Sequence, residues 1–154
     1  MKKLIAMMMA AVMLLGLVAC GGAADNSKSV DLNEVYKSVE GNLPTMLLMD
    51  EQSMMNYYGV DASLCNQVIL SICGDGLRAD ELWLVEAKDE ASLKTLKAMA
   101  ESRLTAKEDE TIDYTPDQYE VVKEAELYTK GLYLVFIVSP DVDTMKAAID
   151  AALQ

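Results

Sequence analysis

Leu132-Tyr133-Leu134-Val135-Phe136-Ile137-Val138 is apolar on both of its alternating faces and is closed by Ser139-Pro140. A strand with one wet face alternates apolar and polar residues, so a run apolar on both faces needs cover on both sides. The run reads as a central strand. Just before it, Glu126 to Thr129 is a second short strand, joined through Lys130-Gly131 as a hairpin. Just after it, Asp141 to Leu153 is a helix with Val142, Met145, Ile149 and Leu153 on one face.

The same order occurs once upstream. Gln67 to Cys73 and Glu81 to Ala87 read as strands around a turn containing Gly74 and Gly76. A helix between Asp89 and Thr105 follows, with Leu93, Leu96, Ala100 and Leu104 inward. Leu82-Trp83-Leu84-Val85 corresponds to Leu132-Tyr133-Leu134-Val135, and Thr95-Leu96-Lys97-Ala98 to Thr144-Met145-Lys146-Ala147. The prediction is a single α+β domain with a mainly antiparallel four-stranded sheet packed with helices. Either a duplicated β-β-α unit or chance likeness of amphipathic elements accounts for the correspondence.

Further towards the N-terminus, Asp31 is placed to cap a helix with Leu32, Val35, Val39 and Leu43 on one face, ended by Gly41, Asn42 and Pro44. Residues 50–58 predict a second short helix stopped by Gly59, with a further turn at 61–64. Residues 21–30 are small and polar without periodicity, a flexible tether. Ahead of it, Lys2 and Lys3 precede an apolar stretch from Leu4 to Val18 and then Ala19-Cys20. That is the pattern of a lipoprotein signal peptide over 1–19, with a diacylglyceryl group expected on Cys20. The apolar stretch, about 15 residues, is short of the roughly 20 that span a bilayer as a helix. Two acyl chains at about 0.8 kcal/mol per methylene give a stable anchor. The expected division is leader 1–19, lipidated Cys20 and tether 20–30, and domain 31–154. The expected location is the extracytoplasmic face of the cell membrane, held there by lipid.

The formal charge of −12 becomes −14 once Lys2 and Lys3 leave with the leader. So acidic a chain is repelled by phosphate backbones, which argues against a nucleic-acid partner. Apart from Cys20, the cysteines are Cys65 and Cys73. Outside the cytoplasm such a pair reads either as a disulfide or as two buried free thiols.

The chain has no histidine, which removes the commonest general base and the Ser-His and Cys-His pairs. No cofactor motif is present, and Gly74-Asp75-Gly76 reads as a turn. Asp109, Thr111, Asp113, Asp117 and Glu120 fall at calcium-loop spacing. However, Tyr114 stands where glycine is required and Pro116 follows, so 109–120 is read as a solvated acidic loop leading to a helix capped at Thr115, with Pro116 at its first position and Gln118 at the reciprocal capping-box place. Met46, Met49, Met54 and Met55 read as adaptable core packing. The aromatic residues, Trp83, Tyr57 and Tyr58 among them, are candidates for lining a ligand pocket. Glu86 alone interrupts an apolar strand and is placed on a solvent-facing edge. No pair of acids stands out for hydrolytic catalysis, so the chain reads first as a non-enzymatic binding or accessory module, its small-molecule or protein partner unidentified. The alternatives are a partner-docking structural lipoprotein and, after it, a carboxylate-dependent hydrolase.

Tyr58-Gly59-Val60-Asp61, Asp80-Glu81-Leu82-Trp83-Leu84-Val85, Tyr114-Thr115-Pro116-Asp117-Gln118-Tyr119 and Gly131-Leu132-Tyr133, behind the leader ending Ala19-Cys20-Gly21-Gly22, carry a resemblance. Over roughly Asp31 to Leu153 the chain resembles a family of small lipoproteins of Gram-positive bacteria catalogued as a domain of unknown function, number four-three-five-eight. The resemblance implies an anchored, extracytoplasmic domain and supplies no catalytic residues. Val60 stands where isoleucine is common, and Cys65 and Cys73 are outside the family pattern.

Overall fold

The computed structural model describes residues 29–154. The leader and Cys20 lie outside the described residues. Helix α1 spans Leu32–Val39, strand β1 Met46–Leu48, α2 Glu51–Tyr58, β2 Cys65–Cys73, β3 Glu81–Ala87, α3 Glu90–Tyr114, α4 Pro116–Lys123, β4 Glu126–Lys130, β5 Tyr133–Val138 and α5 Val142–Ala152. The strands form one antiparallel sheet in the order β1-β2-β3-β5-β4.

The class is α+β as expected, but the sheet has five strands and not four. β1 is only three residues long, its exposed Leu47 and Leu48 give no alternation, and it pairs with the far end of β2 (Met46 opposite Cys73). So short an edge strand has little sequence signal of its own. β5 lies between β3 and β4, and its residues from Leu134 to Val138 are buried, as its doubly apolar pattern requires.

Each sheet face carries its own core. Trp83, Val85, Phe136 and Leu134 pack under α2, α3 and α4 with Met54, Leu96, Ala100 and Val122. Leu82, Leu84, Val135 and Ile137 pack under α1 and α5 with Leu32, Val35, Val39, Met145 and Ile149. The helices following the two similar strands, α3 and α5, therefore cover opposite faces, and the repeated spacing does not correspond to a repeated placement.

The remaining helix ends follow from capping. Asp31, Asp50 and Asp89 accept from the N–H groups of Asn33, Ser53 and Ser92 at 2.9, 2.7 and 2.7 Å. Gly59, at φ 69°, closes α2 in the left-handed conformation that glycine tolerates. α3 runs nine residues beyond the expected Thr105 end, to Tyr114. Much of the predicted acidic loop is thus helix, and the calcium-loop spacing does not describe a loop. Cys65 and Cys73 are free thiols at opposite ends of β2, about 26 Å apart along an extended strand and far beyond disulfide reach. The disulfide reading is replaced by the free-thiol one.

Candidate functional site

Glu81 begins β3 on the middle strand of the sheet, and its side chain is fully buried. A buried carboxylate requires donors around both oxygens. Trp83 donates its indole N–H to Oε1 at 2.7 Å, and Arg103 reaches both oxygens with Nε and Nη2 at 2.9–3.2 Å. Lys107 stands 3.1 Å from Oε2 and also donates to the Ala79 carbonyl at 2.6 Å. The cluster is closed on the solvent side by Glu110, 3.2 Å from Arg103 Nη1.

This explains the length of α3. Its inward stripe begins with Leu96 and Ala100 and continues at helical spacing through Arg103, Lys107 and Thr111. The second half of the helix is held by ion pairs and hydrogen bonds where the first is held by apolar contact. Thr111 returns its hydroxyl to the Lys107 carbonyl at 2.7 Å. Burial works against the Arg103 charge but the hydrogen bonds and charge of Glu81 outweigh it, so Arg103 stays above its ordinary pKa. At Lys107, burial dominates and lowers the pKa.

Aromatic rings complete the assembly. Tyr58, from the last turn of α2, lies 5.6 Å from Trp83, and Trp83 meets Phe136 edge-on at 5.7 Å. The Arg103 guanidinium sits 5.0 Å from the Tyr58 ring. Burial first, and the Glu81 charge second, push the Tyr58 hydroxyl up to about 12. Gln118, at the start of α4, accepts from the Ala79 N–H at 2.9 Å. It therefore serves the approach to β3 and not the capping box its sequence position suggests, and the Thr115 side chain makes no cap. Asp80, also buried, takes both of its oxygens to Arg78 at 2.9 and 3.1 Å.

Two clefts flank the cluster and share Glu110. A groove of about 900 Å³ runs along α3, with Tyr57 and Tyr58 as its wall and Ala98, Ser102 and Ala106 on its floor. A smaller cleft of about 360 Å³ opens at the end of α3 between the 76–79 turn and Tyr114, with Lys107 at its base. Among the described residues, no group of three His, Cys, Asp or Glu side chains is arranged to hold a metal ion.

The aromatic residues singled out in the sequence divide accordingly. Trp83 is core, Tyr58 is a half-buried wall, and Tyr57 stands exposed on the groove rim. Met54 is buried, Met46 and Met49 are half-buried, and Met55 is exposed. Glu86 is not on an edge, since β3 is the middle strand; half-buried, it accepts from Ser29 and Gln67 at 2.9 and 2.7 Å. The acid at the centre of the site is Glu81. Its partners Arg103 and Lys107 carry no sequence signal, because they extend the inward stripe of α3 past its apolar part with charged residues.

Three of the segments that carry the resemblance (Tyr58 to Asp61, Asp80 to Val85, Tyr114 to Tyr119) meet at this cluster through Tyr58, Glu81 and Gln118. The chain belongs to the family described as Domain of unknown function (DUF4358), whose family model matches residues 37–139. No curated protein and no solved structure matches it.

Proposed function

We propose that this protein is a membrane-anchored, extracytoplasmic binding module without catalysis of its own, and that the groove along α3 holds its ligand. The anchoring rests on the leader and Cys20. Among the described residues, no helix is long and apolar enough to cross a membrane. The observation that carries the binding reading is the groove itself. A wall of two tyrosines faces a floor of small side chains on a helix whose far half is pinned by the Glu81 cluster. Lys94, Thr95 and Ser102 offer polar groups beside the apolar surface of Ala98 and Met99, the mixture that orients a small ligand.

The test is thermal unfolding of the chain from residue 20, carrying Cys20→Ser, against amino acids, short peptides, sugars and metal salts. A ligand at 100 times its Kd adds about 2.7 kcal/mol of stability. Ala98→Trp, which fills the groove, should abolish that shift. No shift with any compound, or a shift that survives Ala98→Trp, counts against the groove. The anchor is tested separately by intact mass of the membrane-derived protein. A diacylglyceryl-modified Cys20 at the N-terminus is expected, and an unmodified thiol with the leader attached contradicts it.

A further inference from the structure

The sheet ends on one side at a strand that no other element of the described residues extends. In β1, Leu47 is 55% exposed and Leu48 66% exposed. The Met49 N–H donates to the Leu70 carbonyl and the Gly74 N–H to the Thr45 carbonyl, so Thr45, Leu47 and Met49 turn their backbone groups toward β2. By the alternation of an antiparallel ladder, Met46 and Leu48 turn their N–H and C=O groups outward, where no strand of the described residues meets them. From Thr45 to Met49 there is no charge, no proline and no bulge, the devices that usually blunt an edge. The opposite edge strand, β4, has charge: it begins with Glu126, paired with Lys146, and ends with Lys130.

Self-complementarity selects the occupant. When a second β1 lies antiparallel with Leu47 opposite Leu47, Met46 of each copy meets Leu48 of the other. Every outward N–H and C=O of these residues then finds a partner. The side chains match as well. Leu47, opposite Ile72 and one strand further Glu81, is on the sheet face of Trp83, while Met46 and Leu48 are on the other face. Both faces of the junction are therefore apolar cross-strand pairs. The nearest acid, Asp50, falls beside Pro44 of the other copy and not beside another acid. The two-fold axis of such a pair stands normal to the sheet, so both copies keep the same face on the same side. Ser29 and Val30, at the N-terminal end of the described residues, are tied to Gln67, Glu86 and Tyr133 on the face that carries α1 and α5. Both chains thus enter from one side of the joined sheet, as two copies anchored in one membrane need. The net charge of −12 on each copy opposes pairing, over distances that salt screens.

We propose that β1 pairs with β1 of a second copy, joining two five-stranded sheets into one continuous sheet. The test uses the chain from residue 20 with Cys20→Ser. Sedimentation from about 0.01 to 1 mM protein should show a monomer–dimer equilibrium that tightens between about 0.02 and 0.5 M sodium chloride. Leu48→Pro removes an outward N–H and leaves the bonds to β2 in place, and Leu47→Lys sets like charges opposite each other. Each should weaken the dimer at least about tenfold, with circular dichroism showing that both variants fold. The register is read by cross-linking with oxidised glutathione in a chain that also carries Cys73→Ser. Leu47→Cys, with Cα atoms about 4.5 Å apart across the junction, should form a disulfide dimer. Thr45→Cys, exposed but roughly 14 Å from its copy, and Tyr114→Cys, exposed on α3, should stay monomeric. The proposal is overturned by a chain that remains monomeric at about 1 mM, which would leave the edge to a different partner. It is equally overturned by a dimer indifferent to Leu48→Pro and Leu47→Lys, or by Leu47→Cys cross-linking no faster than Thr45→Cys and Tyr114→Cys.

Discussion

Glu81 is surrounded by an indole N–H, a guanidinium and an ammonium, none of which can follow it to solvent. Glu81→Gln keeps the shape but leaves Lys107 buried without its counter-charge and Arg103 with Glu110 alone. The expected loss is about 3–5 kcal/mol, measured by urea unfolding. Tyr58 gives a pH signature. Its folded pKa, up to about 12 against an ordinary value of 10, means the fold favours the neutral phenol. Its contribution to stability is complete below pH 10 and is lost as pH rises from 10 through 12. Ultraviolet titration of the native protein should show one tyrosine ionising near 12, and Trp83→Phe, which loosens its packing, should lower that value. At Cys65, burial and then Asp61 push the thiol up to about 11. At pH 8 roughly one such thiol in a thousand is ionised, so Cys65 should react with a thiol reagent far more slowly in the native protein than after unfolding. Non-reducing mass measurement should find Cys65 and Cys73 both reduced.

At the scale of elements, the second half of α3 depends on polar anchors and the first half on apolar ones. Lys107→Met removes one of these anchors and leaves the Ala79 carbonyl short of a donor, at a cost of about 1–3 kcal/mol. Leu96→Ala opens a cavity at a fully buried site instead and should cost about 2–5 kcal/mol. The comparison, made by chemical denaturation, separates the two kinds of support. The same contrast explains what was legible in the chain. α1, α2, α5 and the strands β2 to β5 announced themselves through periodicity, caps and the left-handed Gly59. β1 did not, because three residues at an edge have no period to show. The end of α3 did not either, since Arg103, Lys107 and Thr111 occupy inward positions that periodicity assigns to apolar residues. The meaning of Arg103 and Lys107 depends on Glu81, an acid 22 and 26 residues away in the chain. Gln118 was visible as a capping residue, but its true partner Ala79 is set by tertiary contact.

For the molecule as a whole, the net charge of −12 stores self-repulsion that salt screens, while the surface ion pairs that salt weakens contribute little. Melting temperature should therefore rise between about 0.01 and 0.5 M sodium chloride, and a fall would mean that the exposed ion pairs matter more than the excess acid. One carboxylate organises the region between the two clefts: Glu81 ties Arg103 and Lys107 of α3 to β3, while Tyr58 packs on its neighbour Trp83 and Gln118 holds the adjacent Ala79. Hydrogen–deuterium exchange across the whole chain, comparing wild type with Glu81→Gln and the milder Lys107→Met, tests this directly. Exchange should quicken over residues 101–119 and 74–80, while α1, α5 and the strand face beneath them stay as protected as in wild type. Unchanged exchange around the clefts, or an equal increase everywhere, would contradict it.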